Sequence, residues 1–307
     1  MISDFIETSM QSASNAIYQS SNNLVLDKEM LAEGFALKGK AYDIDFAAAD
    51  DEIDVREQDG GLPKVFKMES AEQRYFKEWF NNLPPESRVR QCKDMMFNQL
   101  NKLNMVDVAE LKVYINRIVD DMDKAQLAAM EGYAAKIRDK IETLLEAHYR
   151  ETFEKWLETE RIVCKPYFRL RPSIHPVTYT DIYARSLYAA EDGNMNKLEQ
   201  KLIVELTALP NVRWWHRNIA RQGFAINGFI KHYPDILIMT KSGKLICAET
   251  KGEHLKNDNS REKIALGQAW RTAAGKDYRY YMVFENDENL LPGAVGMSQF
   301  IDTVKAL

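Results

Sequence analysis

Asp235, Glu249 and Lys251 are the residues of this 307-residue chain whose types and spacing could do chemistry together. They belong to the run HYPDILIMTKSGKLICAETKG, residues 232 to 252, in which two apolar stretches flank Ser242-Gly243. A glycine there supplies positive φ for a tight turn, which predicts an antiparallel hairpin of 236–240 with 244–250. Such a turn sets opposite each other residues whose numbers sum to about 485, so Asp235 should land beside Glu249 or Thr250. Alternation then puts Glu249 and Lys251 on one face and turns Thr250 away. Leu245 to Ala248 is apolar on both faces, the pattern of a covered strand. Two neighbouring carboxylates repel each other and partly protonate unless a cation sits between them. A hard divalent ion with oxygen ligands, Mg²⁺ or Mn²⁺ in its place, suits that position. Lys251 would steady by charge a metal-bound water or a developing phosphorane oxygen. That combination hydrolyses phosphodiesters. An ion-pair cluster capping a hairpin needs the same three residue types; the buried flanks, Pro234 and the basic surroundings favour the chemical reading.

The elements that must position this trio follow from periodicity. The last third of the chain reads α-β-β-β-β-α-β, a mixed sheet flanked by helices. NMNKLEQKLIVELTAL is a helix ended by Pro210; NVRWWHRNIA and GFAINGFI read as strands; the hairpin follows. SREKIALGQAW then forms a helix with Ser260 as its N-cap and Gly275 just past its end, and DYRYYMVF forms the last strand. Upstream the pattern is helical: SAEQRYFKEWF up to Pro84-Pro85, SRVRQCKDMMFNQLNKL, and VDVAELKVYINRIV with Asp107 and Glu110 at capping-box spacing. A long helix follows, with Leu144, Leu145, Tyr149, Phe153 and Trp156 on one stripe. The first 60 residues mix polar sequence with the alternating AYDIDFAAADDEIDV, read as a strand or two with loose connections. Three segments are expected: 1–65 an acidic connector with short strands, 66–168 a helical region, and 169–307 the domain that carries the trio.

Composition narrows the classes. With 45% apolar and 28% charged residues the chain has the balance of a globular protein. No apolar run approaches the roughly 18 residues of a membrane helix, and no basic n-region leads into an apolar h-region at the start. Cys92, Cys164 and Cys247 are odd in number and far apart, against a disulfide framework, so a cytoplasmic location is expected. The net charge of −5 conceals an asymmetry. Residues 1–60 hold 13 Asp/Glu and 4 Lys/Arg, whereas 210–281 hold 6 Asp/Glu and 13 Lys/Arg. The trio lies in the basic part, where a phosphate backbone would be drawn.

Pro234-Asp235 followed by Glu249-Thr250-Lys251 resembles the PD-(D/E)xK nuclease signature. The longer run from Met195 to Gly252, with SREKIALGQAW and YRYYMVF after it, resembles the C-terminal endonuclease domain of type III restriction enzyme Res subunits and related DEAD/DEAH-box helicase-like proteins. The likeness covers roughly residues 170–285. It implies a restriction-endonuclease-like α/β core and a divalent-metal-dependent DNA endonuclease. Carried over by position, Asp235 and Glu249 become metal ligands, Lys251 the catalytic lysine, and Glu199 the helix glutamate directed at the metal. Glu205 is about 240° round the same helix and cannot also point inward. Lys263 is placed to reach a phosphate. The Gln-x-x-x-Tyr form found in RecB-like nucleases is absent, since Thr272 follows Gln268. The resemblance also implies a separate methyltransferase (Mod) subunit for site recognition and an ATPase motor. Asp50 to Asp54, DDEID, superficially resembles a helicase box, but no Gly-x-x-x-x-Gly-Lys-Ser/Thr run exists to cradle phosphates. Either these residues are the tail of a longer protein or the motor is another chain. One such site cuts one strand, so a homodimer would cut both.

Secondary candidates surround the trio. Arg217, Arg221 and Lys231 would track phosphates or solvate a strand edge. Of Trp214 and Trp215, alternation buries one and exposes the other, free to stack on a base, though core packing accounts for both. His216, His232 and His254 invite a zinc reading that their spacing does not support. Two rivals to the restriction nuclease are a non-catalytic DNA-binding or scaffolding module of the same fold and a structure-specific repair nuclease.

Overall fold

A computed structural model describes residues 15–44, 46, 75, 78–128, 133–165 and 169–307. The chain divides into two compact units, residues 1–30 with 153–307, and residues 31–152. These units are not drawn along the expected boundaries at 65 and 168. The reason is strand β1 (Ile17–Gln19), which pairs antiparallel with β2 (Ile162–Cys164). Asn227 ties the same N-terminal segment down. Its Oδ1 accepts from the backbone N–H groups of Ala16 and Ile17 at 3.0 and 2.9 Å, and its Nδ2 donates to the carbonyls of Ile17 and Leu26 at 2.7 and 2.8 Å. A buried amide with every donor and acceptor committed holds its partners in one register.

The unit of residues 31–152 is helical among its described residues. Helix α1 (Pro85–Leu100) starts on a proline, whose missing N–H is no loss in a first turn. It buries Cys92, Met96 and Leu100 at four-residue intervals. Helix α2 (Val108–Asp120) buries Leu111, Tyr114, Ile115, Ile118 and Val119. Asp107 caps it by accepting from Glu110 N–H, but the Glu110 carboxylate bonds Leu37 N–H instead of closing the expected box. Helix α3 (Tyr133–Glu158) carries the predicted stripe, with Leu145 and Tyr149 buried; from Phe153 onward it belongs to the other unit. The alternating stretch 41–55 shows no strand at 41–44 and otherwise lies almost wholly outside the described residues, as does the DDEID run; most of SAEQRYF is outside them as well.

The other unit is mixed α/β. After two short hairpin strands, β3 (Tyr179–Thr180) and β4 (Glu191–Asp192), come helix α4 (Lys197–Ala208) and strand β5 (Val212–Arg217). The expected strand at GFAINGFI is instead a separate two-stranded hairpin, β6 (Ile226–Asn227) with β7 (Lys231–His232), off the central sheet. Then follow β8 (Ile236–Thr240), β9 (Leu245–Lys251), helix α5 (Asp258–Ala274), β10 (Tyr278–Phe284), β11 (Val295–Gly296) and helix α6 (Met297–Ala306). The central five-stranded sheet runs β11-β10-β9-β8-β5, with β9, β10 and β11 parallel and β5, β8 and β9 antiparallel.

Helices cover both faces of that sheet. On one face Leu202, Ile203 and Leu206 of α4 and Phe300 and Val304 of α6 pack with Trp215, Ile236, Ile238, Ile246 and Ala248. On the other, α5 lies against β10 so closely that a Cβ on Gly267 would stand 2.2 Å from the Tyr280 ring. The N-cap of α5 is Asn257, whose side chain accepts from Ser260 N–H; the expected cap, Ser260, is buried in the first turn and donates to Leu255 O. Gly267→Ala should therefore overpack the α5–β10 contact and cost about 1–3 kcal/mol, read as a lower urea midpoint at unchanged slope.

Candidate active site

The hairpin that carries the trio forms at the predicted turn. Gly243 has φ +84°, its N–H donates to Thr240 O at 3.1 Å, and Ile236 pairs with Ala248 and Leu237 with Cys247. Extending that register by one step sets Asp235 against Glu249 at the end of the sheet. Asp235 is fixed from three sides. Its carbonyl accepts from Asn218 N–H at 2.8 Å and from Arg217 Nη1 at 3.0 Å, and its Oδ2 accepts from Thr250 N–H and Oγ1–H at 2.8 and 3.0 Å. Thr250, which alternation turns away from the face of Glu249 and Lys251, thus bonds Asp235. Asn218, buried, braces Asp235 from behind by donating to the carbonyls of Pro234 and Phe224 at 2.8 Å each.

Charged side chains meet at these strand ends from both faces of the sheet. Ile236, Ala248 and Trp215 face α4, so Arg217 also faces it and meets Glu199 there, with Nη2 to Oε1 3.0 Å. Glu249 follows Cys247 toward α5, where its Oε1 takes Lys251 Nζ at 2.8 Å and Lys263 Nζ at 2.9 Å. Asp235 lies between, its Oδ1 3.8 Å from Arg217 Nη1. Asp235, Glu249, Lys251, Glu199, Arg217 and Lys263 are therefore brought together. Arg217 and Lys263, read as phosphate-tracking residues, hold carboxylates here with side chains only 15% and 22% exposed. Arg221 and Lys231 are exposed outside this cluster, with the Lys231 ammonium over the Tyr233 ring. Glu205 is exposed, whereas Glu199 is buried. Glu199 also closes a capping box on α4, accepting from Asn196 N–H at 2.9 Å.

Behind Glu249 stand two groups that spacing did not single out in this role. His232 Nε2 is 2.9 Å from Tyr280 Oη and 4.0 Å from Glu249 Oε2, all three side chains being buried. The parallel pairing of β9 with β10 sets Tyr280 beside Cys247, on the face of β9 that Glu249 also takes. That long-range register is not readable from either strand alone. None of the three candidate histidines meets another. His216 pairs with Glu191, His232 with Tyr280, and His254 is exposed. Trp215 is fully buried with its indole N–H on Ala184 O, and Trp214 is half-buried.

Electrostatics separates the two central carboxylates. Burial, the Glu249 charge and, less strongly, Glu199 push Asp235 up to about 7, against the pull of Arg217 and the Thr250 N–H. Its side chain keeps 19% of its surface accessible. Burial pushes Glu249 upward too, but His232, Lys263 and Lys251 together hold it down at about 2. Lys251 is raised: burial opposes its charge, and Glu249 and Asp235 more than restore it. His232 is lowered to about 4 by burial, so at neutral pH the two lysines are what compensate Glu249.

Among the described residues no group of three His, Cys, Asp or Glu side chains stands at metal-ligating distance. The oxygens best disposed toward a hard cation are Glu249 Oε2, buried without a hydrogen bond, and Asp235 Oδ1, with only the long Arg217 contact. Those two residues fit a divalent ion. Glu199 fits less well, since one of its oxygens serves the helix cap and the other Arg217. Comparison of the chain with protein-family models, with curated proteins and with solved structures finds no match.

The raised Asp235 makes stability depend on pH in a defined direction. An unfolded aspartate titrates near ~3.9, so between that value and about 7 the folded chain binds the extra proton. Its contribution to stability falls as pH rises through that window. In EDTA, Asp235→Asn should gain thermal stability over the wild type from pH 5 to about pH 7 and level off above it. A difference in Tm that is the same at both ends would show that Asp235 titrates as an ordinary carboxylate.

Proposed function

We propose that this chain is a divalent-metal-dependent DNA endonuclease with a restriction-endonuclease-like PD-(D/E)xK core, the nuclease part of a type III restriction Res subunit whose ATPase motor is not in these residues. The observation that carries the reading is the meeting of Asp235, Glu249 and Lys251 at the open end of a sheet buried on both faces. Buried carboxylates with pKa values driven apart are characteristic of reacting centres. The surrounding segment is basic, as a polyanionic substrate requires.

A bound Mg²⁺ or Mn²⁺ would supply Lewis-acid polarisation of the phosphate and a more acidic water. Asp235 and Glu249 would hold it, with Thr250 fixing the Asp235 carboxylate through two hydrogen bonds. Lys263 keeps Glu249 charged when Lys251 leaves it. Lys251 then meets the charge that builds on a non-bridging phosphate oxygen. A water oxygen bonds to phosphorus and releases a proton to solvent as the P–O3′ bond breaks, and the departing oxygen takes a proton from solvent. Recognition of a sequence falls to a separate methyltransferase-type subunit, and a second copy of the chain would cut the opposite strand.

One observation favours a rival. Glu199, Asp235 and Glu249 already face Arg217, Lys251 and Lys263, a cluster whose charges balance without any added ion. A DNA-binding module that has kept the fold and lost the reaction would look the same. Supercoiled plasmid separates the two. The nuclease nicks it in Mn²⁺ and not in EDTA, and Asp235→Ala or Lys251→Ala lowers the rate by at least ~100-fold, within the range removal of one transition-state partner produces. Mn²⁺ binding by calorimetry that is present in the wild type and lost in Asp235→Ala belongs to the nuclease alone. DNA affinity should fall at least ~10-fold between 50 and 200 mM salt in either case.

A further inference from the structure

The cations at the strand ends are shared unevenly among the carboxylates. Lys251 and Lys263 both go to Glu249 Oε1, at 2.8 and 2.9 Å. Arg217 serves the other two. Its Nη2 lies 3.0 Å from Glu199 Oε1, and its Nη1 3.8 Å from Asp235 Oδ1. The same Nη1 donates to the backbone carbonyls of Asn218 and Asp235 at 2.9 and 3.0 Å. The guanidinium is thereby pinned to main chain as well as to Glu199. Unlike a lysine, it cannot shed its charge when buried.

A cation that spans Glu199 and Asp235 occupies the place a second metal ion would need. Catalytic sites with two ions hold them roughly 3.5–4 Å apart, which takes carboxylate oxygens for both. Few are open here. Glu249 Oε2 is buried with no hydrogen bond, and Asp235 Oδ1 has only the long Arg217 contact. Asp235 Oδ2 is taken by Thr250, and Glu199 Oε2 by the Asn196 N–H of the helix cap. An ion reaching Glu199 would have to displace the guanidinium from Oε1 against the repulsion of a fixed positive charge. Without the guanidinium, the buried Glu199 and its neighbour Asp235 would lack a counter-charge, and a dication would be drawn to them.

We propose that Arg217 stands in for a second metal ion, so that the site takes a single divalent ion, on Asp235 and Glu249, while Glu199 serves the guanidinium. The proposal rests on the reading of Asp235 and Glu249 as metal ligands. Arg217 is then a positioning residue. It fixes the main chain of Asp235 and supplies beside that carboxylate a charge that does not exchange with solvent. Occupancy of the site should accordingly rise hyperbolically with metal concentration, with no sigmoid onset.

Counting bound Mn²⁺ tests this without cleavage. The ion is titrated to saturation into the whole chain, and the bound number is taken from calorimetry and from loss of the free-ion electron paramagnetic resonance signal. The wild type should bind one Mn²⁺, and Arg217→Lys, which keeps the charge, also one. Arg217→Gln should bind a second, with the spin coupling of two neighbouring ions. Adding Glu199→Gln to Arg217→Gln should return the count to one, because the second ion loses its ligand. Circular dichroism checks that each variant is folded, and the wild-type count bears on the proposal whatever the variants do. Two Mn²⁺ in the wild type, or one in Arg217→Gln, overturns the proposal and leaves Asp235 and Glu249 as metal ligands. No Mn²⁺ in the wild type refutes the metal site itself, and the proposal with it.

Discussion

Glu249 carries a charge at the end of a strand covered on both faces, and its carboxylate retains 2% of its exposure. An ion in such a place must be compensated or neutralised. Compensation here comes from two directions along the chain: Lys251, two residues on, and Lys263, from the helix that crosses over to the neighbouring parallel strand. That crossover needs α5 pressed onto β10, which is why Gly267 meets Tyr280 without a side chain. Tyr280 in turn occupies His232 Nε2, and burial keeps that imidazole neutral near Glu249. Sheet order, helix placement and a buried aromatic pair all follow from the need to keep one carboxylate ionised.

Asp235 answers to a different balance. It receives no lysine, only hydrogen bonds from Thr250 and a long contact with Arg217, and two other carboxylates act on it. Glu249 and Asp235 are neighbours across a hairpin, yet one is held ionised and the other titrates near neutrality. The difference arises because side-chain alternation sends Glu249 toward α5 and its lysines, whereas Asp235 sits at the strand end between the two faces. A cation added between the carboxylates would relieve Asp235 far more than Glu249.

Much of this was legible in the sequence where the cause is local. Gly243 fixes the turn, the turn fixes the register, and the register places Asp235 against Glu249. Helix geometry shows that Glu199 and Glu205 cannot both point inward, and the resemblance singles out Glu199. Features that depend on distant pairing were not legible. Nothing near His232 announces Tyr280, which reaches it through the parallel β9–β10 pairing. Glu191 lies in a two-residue strand too short for periodicity to reveal. Ser260 has the residue type of an N-cap, but Asn257 takes that place because the chain after β9 makes a tight helical turn, Glu253–Leu255, before α5 begins. Arg217 and Lys263 have the residue type of phosphate ligands; only the fold shows them turned inward onto carboxylates.

The pairing of β1 with β2, reinforced by Asn227, has a consequence for how the chain is made. Ile17 to Gln19 is made well before its partners, the strand at 162–164 and the amide at 227. Residues 31–152 form their own compact unit and emerge whole in the interval. Vectorial synthesis therefore completes the inserted helical unit first and leaves β1 waiting. Closing so long a loop is entropically slow, so the sheet-bearing unit, and with it the carboxylate cluster, assembles only after β10 and β11 have been made.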